Sequence, residues 1–230
     1  MALICIKRAS ELEVIVVLAP ERYDPRRESL KREGKHVDAT AIGGIAQIIR
    51  HSINPGAKAV GERRCLVLDT SDVREGIIIG RKKPIRVADL GSQKKGFNCG
   101  DVIISRLRPY LRQVAFVDVA FATASPGVEL ACSTEFFVLR SIDQEPIAFL
   151  VPYLLSNPVQ RVLAASQEGG HHPRFDERAL LSIPIPAGLL AKRAAISDSV
   201  AHGATCYRQA EEIMLRLVSD AEGVMTHELA

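Results

Sequence analysis

Between residues 64 and 140 the hydrophobic positions fall in short runs, each closed by turn-forming residues. Cys65-Leu66-Val67-Leu68, Ile77-Ile78-Ile79, Val102-Ile103-Ile104, Val114 to Val119 and Phe136-Phe137-Val138-Leu139 are separated by Gly, Pro, Asp and Ser. Runs this short and this regularly punctuated predict strands of a curled or barrel-like sheet. Upstream, Val14 to Leu18 reads as one more strand, and Ala41 to Ala46 leads to a turn at Asn54-Pro55-Gly56. After residue 145 the pattern becomes helical. Asn157-Pro158 is a start signal, Asn to cap free amides and Pro to fill the first helical position. The helix it opens, Pro158 to Ser166, is expected to stop at Gly169-Gly170, and a second short helix is expected to start at Asp176. Ile183-Pro184-Ile185-Pro186 must be extended, because each proline biases its predecessor away from the α region. A domain boundary is expected there.

Beyond Ala187 the period lengthens. Ile196, Val200, Gly203, Tyr207, Ala210, Met214, Leu217 and Ala221 alternate spacings of four and three, a heptad track. Arg193, Asp198, Arg208, Gln209, Glu212, Arg216 and Asp220 take mostly the other faces. Packing of this helix onto its own domain is one reading. Its length favours another: about 35 residues at 1.5 Å each is roughly 50 Å, longer than a small domain is wide. A helix that protrudes needs a second helix to cover its apolar seam. Gly203 weakens the seam by about 1 kcal/mol relative to Ala, yet permits close approach.

The 230 residues are 47% hydrophobic and 25% charged, which excludes disordered and collagen-like chains and suffices for a core. A net charge of +3 decides nothing by itself, but its distribution does. Residues 81–112 hold nine cations (Arg81, Lys82, Lys83, Arg86, Lys94, Lys95, Arg106, Arg108, Arg112) against Asp89 and Asp101; residues 115–155 carry a net −4. A polarised domain with a phosphate-attracting face is expected. The five cysteines are dispersed and form no C-x-x-C pair, so neither a disulfide framework nor a zinc ribbon is indicated. With no run of membrane length, a soluble, cytoplasmic protein is expected.

Motifs for chemistry are missing. Neither a dinucleotide fingerprint nor a phosphate-binding loop occurs, and there is no nucleophile elbow. Asn157-Pro158-Val159-Gln160 begins like the adenine methyltransferase motif but lacks its second proline and stacking aromatic. His171-His172 beside Asp176 and Glu177 reads as a polar loop rather than a metal site. No enzyme activity, cofactor or metal is expected.

The most distinctive run is Gly100-Asp101-Val102-Ile103-Ile104-Ser105-Arg106-Leu107-Arg108-Pro109-Tyr110-Leu111. It resembles the "GDIL-SR" segment of target-recognition domains in specificity subunits of type I restriction-modification enzymes. Glu21-Arg22-Tyr23-Asp24-Pro25, Ser133 to Arg140, Pro152-Tyr153-Leu154-Leu155-Ser156 and Ile183-Pro184-Ile185-Pro186 are similar to further segments of that family, in the family's order.

The resemblance implies an α+β fold: a curled β-rich target-recognition domain (residues 1–186), then a long C-terminal coiled-coil helix (187–222) that dimerises and spaces, then a tail (223–230). It implies a subunit that reads one half of a bipartite double-stranded DNA target, without catalysis, and directs modification (methyltransferase) and restriction subunits. Complete specificity subunits carry two domains and two helices; this chain has one of each and resembles a half-subunit. A homodimer through the helix follows by symmetry.

On charge and motif, the expected DNA-binding residues are Ser105, Arg106, Arg108, Tyr110 and Arg112, with Lys94, Lys95 and Arg174 for phosphate. Arg108-Pro109-Tyr110 fits a structural turn equally well. Helix pairing is expected through Ile196, Val200, Gly203, Tyr207, Ala210, Met214 and Leu217. The competing function is a non-catalytic adaptor that docks a protein partner through the helix.

Overall fold

The computed structural model describes residues 8, 40–56, 62–80, 82–169 and 172–228. The strand expected at Val14 to Leu18, the Glu21 to Pro25 segment, Arg81 and His171 lie outside them.

In chain order the strands are β1 (Thr40–Ala41), β2 (Ala46–Ile48), β3 (Ser52–Ile53), β4 (Arg64–Leu68), β5 (Val73–Arg74), β6 (Ile77–Ile78), β7 (Ile85–Arg86), β8 (Lys94–Gly96), β9 (Val102–Ser105), β10 (Val114–Phe116), β11 (Glu129–Cys132), β12 (Phe136–Ser141) and β13 (Pro184–Ile185). The helices are α1 (Val119–Thr123), α2 (Leu150–Leu155), α3 (Asn157–Ala165), α4 (Glu177–Leu181), α5 (Ala187–Leu190) and α6 (Arg193–Glu228). A four-stranded antiparallel sheet runs β10-β9-β12-β2, and a five-stranded sheet runs β3-β8-β11-β4-β7 with β11 parallel to β4. Among the described residues the chain passes between these two sheets four times, from β2 to β3, β8 to β9, β10 to β11 and β11 to β12.

Successive strand residues point to opposite faces, and both faces of the first sheet are covered. Val102, Ile104, Val114, Phe137 and Leu139 join a core with α2, α3 and the Ile183–Ile185 segment. Ile103, Ala115, Phe136 and Val138 join a second core with Leu66, Leu68 and Phe121. Double burial is why these strands read as continuous apolar runs rather than alternating ones.

The elements differ from expectation in three places. The run from Val114 to Val119 is a strand only to Phe116: the Asp118 carboxylate accepts the Phe121 amide at 2.8 Å and starts α1 instead. In α3 Asn157 lies inside the first turn, and extended Ser156 takes the capping position. The Ile183 to Pro186 segment is extended, but it is woven into the domain. β13 pairs with β1, and the Tyr153 hydroxyl donates to the Pro184 carbonyl. Asp176 does cap α4, accepting the Ala179 amide at 2.7 Å.

Helix α6 continues to Glu228, so residues 223–228 are helix rather than tail. Its first five turns lie on the domain. The Arg193 guanidinium donates to Asp143 at 2.6 and 2.8 Å and to the carbonyls of Glu145 and Pro146. The Ser197 hydroxyl accepts the Phe149 amide at 3.0 Å, and Arg208 reaches Asp118 at 3.3 Å above the Phe121 ring. Ile196 and Val200 pack into the first core, and Tyr207 is half-buried beside Arg208. Ile196 and Val200, assigned by sequence to a partner helix, therefore face the chain's own domain. A heptad pattern records only that one face is apolar, not what covers it.

From Glu212 to Met225 every residue is exposed, Ile213, Met214, Leu217, Val218, Val224 and Met225 among them. Of the remaining expected pairing residues, Gly203, Ala210, Met214 and Leu217 are exposed. Among the described residues no helix is long and apolar enough to cross a membrane.

Candidate nucleic-acid interface

The distinctive Gly100-to-Leu111 run is built mostly for shape. Gly100 sits at φ +87°, where a side chain would be strained. Asp101 is 1% exposed; it accepts the Asn98 amide at 2.7 Å and both Nε and Nη2 of Arg140 at 2.7 Å. Ser105 is buried too. Its hydroxyl donates to the Leu107 carbonyl at 3.2 Å and accepts the Leu107 amide at 3.3 Å, closing a turn at the end of β9. The polar group of Ser105, an expected DNA contact, is bonded inside the chain.

Arg106, the next residue, emerges where three segments meet. Its amide donates to the Glu135 carbonyl and its carbonyl accepts the Phe175 amide, so β9, the start of β12 and the 172–175 loop are stitched together. Glu135 is the hub. The Arg174 Nη2 and Nε donate to its two oxygens at 2.6 and 2.9 Å, and the Arg106 Nε donates to Oε2 at 3.1 Å. The bonds from Arg174, with those from Arg106 adding, outweigh burial and hold the Glu135 carboxyl at about 2, well below its ordinary 4.5. Arg174 spends a third donor, Nη1, on the His172 carbonyl.

Lys95 approaches the same place from the second sheet. Its Nζ donates to the Phe136 carbonyl at 2.6 Å and lies 5.3 Å from the centre of the Phe137 ring. Burial, and then the charge of Arg106, push its pKa down. Together these groups border a cleft of about 460 Å³ at the point where the sheets part, lined by Ile48, Ile49, Arg50, Lys95, Arg106 and Phe137 among others. At its rim Arg50 pairs with Glu177 at 2.6 Å. Lys94, the preceding residue of β8, points to the other face of the strand and donates to the Ser92 hydroxyl at 3.2 Å.

One turn further on, Pro109–Leu111 forms a 3-10 helix with Arg108 and Arg112 in the left-handed region at its two ends, φ 49° and 53°. That geometry costs about 1–2 kcal/mol per non-glycine residue, so Arg108-Pro109-Tyr110 is indeed a structural turn. It still presents groups outward: among the described residues Arg108 has no ion pair, and Tyr110 is 65% exposed. Arg112 is directed away, its Nε donating to Glu75 at 3.1 Å.

The structure thus brings Lys95 and Arg106 to one cleft and joins Arg174 to Arg106 through Glu135, with Arg108 and Tyr110 following on the next turn; Lys94 does not line the cleft. It removes Ser105 and turns Arg112 elsewhere. Lys82, Arg86 and Arg112 of the basic stretch pair with Asp72, Asp89 and Glu75, and Arg106 pairs with Glu135 of the acidic stretch. Glu135, Arg50 and Phe137 were not singled out from sequence. Glu135 stands directly before the Phe136-Phe137 run, where an acid next to a buried strand needs a cationic partner.

No protein-family model matches the sequence, and no curated protein does. Solved structures do match. A chain from a type I R-M system, solved to explain complex assembly and conformational transition, is 23% identical with a TM-score of 0.55, covering 84% of this chain and 48% of that one. The HsdS subunit from Thermoanaerobacter tengcongensis is 21% identical with a TM-score of 0.54, covering 82% and 47%. The fold is that of HsdS. This chain spans about half the length of both matched chains. The HsdS likeness agrees with the order of elements, a β-rich domain followed by one long helix.

Proposed function

We propose that this chain supplies one target-reading half of a specificity subunit of a type I restriction-modification system. It binds one half of a split duplex target, carries out no chemistry, and directs modification and restriction subunits that methylate and cut. The observation that carries the reading is the HsdS fold over one domain and one helix, about half of each matched chain. Lys95 and Arg106 at the cleft, with Arg108 one turn on, support it, since guanidinium and ammonium groups supply both phosphate and base contacts.

The second half of the target is read by a second copy paired through α6. The surface available for pairing is the solvent stripe Ala195, Ser199, Gly203, Cys206, Ala210, Ile213, Leu217, Ala221 and Val224, spaced three and four apart and exposed throughout. Small residues occupy its first half, and the large ones, Ile213, Leu217 and Val224, all stand in its second. An antiparallel partner lays the large residues of one helix over the small ones of the other, which is the size complementarity that close helix packing needs.

Selection of bound sequences from a random duplex pool tests the reading. The expected outcome is a bipartite palindrome, with affinity falling by about 10³–10⁵ between 50 and 200 mM salt for a reader making 6–10 phosphate contacts. Absence of duplex affinity at low salt, with a protein captured on the exposed helix instead, would establish the adaptor reading.

A further inference from the structure

Two classes of cation occur in this part of the chain, and they differ in what they can bind. Arg108 and Lys94 have no carboxylate partner among the described residues. Arg106 and Arg174 share a single carboxylate, so the pair of guanidiniums carries a net +1 with Glu135 at its back. A carboxylate beside the donor repels a phosphate and weakens exactly the attraction that phosphate binding relies on. It does not penalise a neutral acceptor. The donors left over differ as well. Arg174 spends Nε, Nη1 and Nη2 inside the protein. Arg106 spends only Nε, and its guanidinium, 36% exposed, lines the cleft. Among the described residues its two terminal amines are therefore without a partner, and a bond behind them fixes their direction.

A guanidinium gripped at Nε and free at Nη1 and Nη2 is a fork aimed end-on. In duplex DNA the neutral partner with two adjacent acceptors at that spacing is the major-groove edge of guanine, N7 and O6. Adenine offers an acceptor beside a donor there, and pyrimidines offer no such pair. We infer that Arg106 is a guanine-reading residue and that Glu135 is its positioning residue, holding the fork in the cleft and suppressing its use on phosphate. This rests on the DNA-reading function proposed above and names the base that this site selects. The flanking Lys94 and Arg108 supply the sequence-independent grip.

The experiment uses the full chain and the random-pool selection, run on the unaltered protein and on R106K, E135Q and R108A. Thermal melts first establish that each variant folds. The unaltered protein selects a half-site with a strongly preferred guanine. R106K keeps one charge but loses the fork, so preference at that one position falls by about 5–150-fold while the rest of the motif and the salt dependence persist. E135Q frees the charge, raising affinity for unrelated duplex, steepening its salt dependence and lowering the ratio of specific to non-specific binding. R108A weakens all sequences alike. Replacing the preferred guanine by 7-deazaguanine, which lacks N7, weakens the unaltered protein and leaves R106K indifferent.

A motif that R106K and 7-deazaguanine leave unchanged overturns the assignment while sparing the DNA-reading function. A protein that selects no sequence overturns both. A folded E135Q with unaltered discrimination and unaltered salt dependence removes Glu135 from its role and leaves it a purely structural ion pair.

Discussion

Replacing Glu135 by Gln keeps the shape of the hub and removes its charge, and the effect on stability is calculable. A carboxyl held at about 2 in the folded chain, against 4.5 ordinarily, represents at most roughly 3 kcal/mol, at about 1.36 kcal/mol for each tenfold change. The guanidiniums that hold it are 36% and 39% exposed, and water screens them. About 1–2 kcal/mol is therefore expected at pH 7. Because the folded-state value lies below the unfolded one, this contribution is complete above about pH 5. It fades as pH falls through 4.5 toward 2. Urea unfolding of the two proteins at pH 7, 5, 4 and 3 reads it directly. With a slope of about 3 kcal/mol per molar, the midpoints differ by roughly 0.3–0.7 M at pH 7, and the gap shrinks by more than half by pH 3. A gap that stays constant across that range refutes the reasoning, because it would mean that the Glu135 carboxylate contributes through packing and not through its charge.

Three further outcomes follow from the geometry. Asp101→Ala strips a nearly buried carboxylate from the Asn98 amide and from Arg140, and should cost about 2–4 kcal/mol in thermal or urea melts, since one partner of a buried pair is lost while Arg140 can still reach water. The pair Ile213→Glu and Leu217→Glu should abolish self-association in light scattering while leaving the monomer's melting profile within about 0.5 kcal/mol, because both side chains are solvent-exposed. Val200→Glu, by contrast, should unfold the domain onto which Val200 packs. Arg208→Ala should loosen α6 from α1, costing about 1–3 kcal/mol through the lost Asp118 bond and ring contact. Faster amide exchange from residue 200 to 211, with the first turns near Arg193 unaffected, is the expected signature.

Much of the local structure is legible residue by residue. Val102-Ile103-Ile104 and Phe136 to Leu139 announce strands because no other element buries so short and continuous an apolar run. Asp176 announces a cap and Ile183 to Pro186 an extended segment, because the physics of each is contained within a few neighbouring residues. Asp118 shows the limit. The apolar count favoured a longer strand, and a single carboxylate bond to the Phe121 amide turned the chain into a helix.

The heptad track likewise announced a long helix but misassigned its near end, since Ile196 and Val200 are apolar for the sake of their own domain. Among the candidate site residues, type and rough location came from the sequence: arginines and lysines in a β-rich, basic stretch. Availability did not. Ser105, Arg106 and Arg112 look alike as polar residues of one motif, yet one is buried, one is buttressed at a cleft and one is paired with Glu75.

The amino-acid order alone determined the kind of fold: a β-rich domain, a proline-marked segment and a helix too long for its domain. These depend on periodicity, turn chemistry and composition, which act over a few residues. Tertiary structure decided which charges remain free, since ion pairs such as Glu135 with Arg174 join positions 39 residues apart. It also decided which helix face is left uncovered. Pairing and burial are set by where distant segments meet, and strand register and sheet order fix that only once the chain has folded.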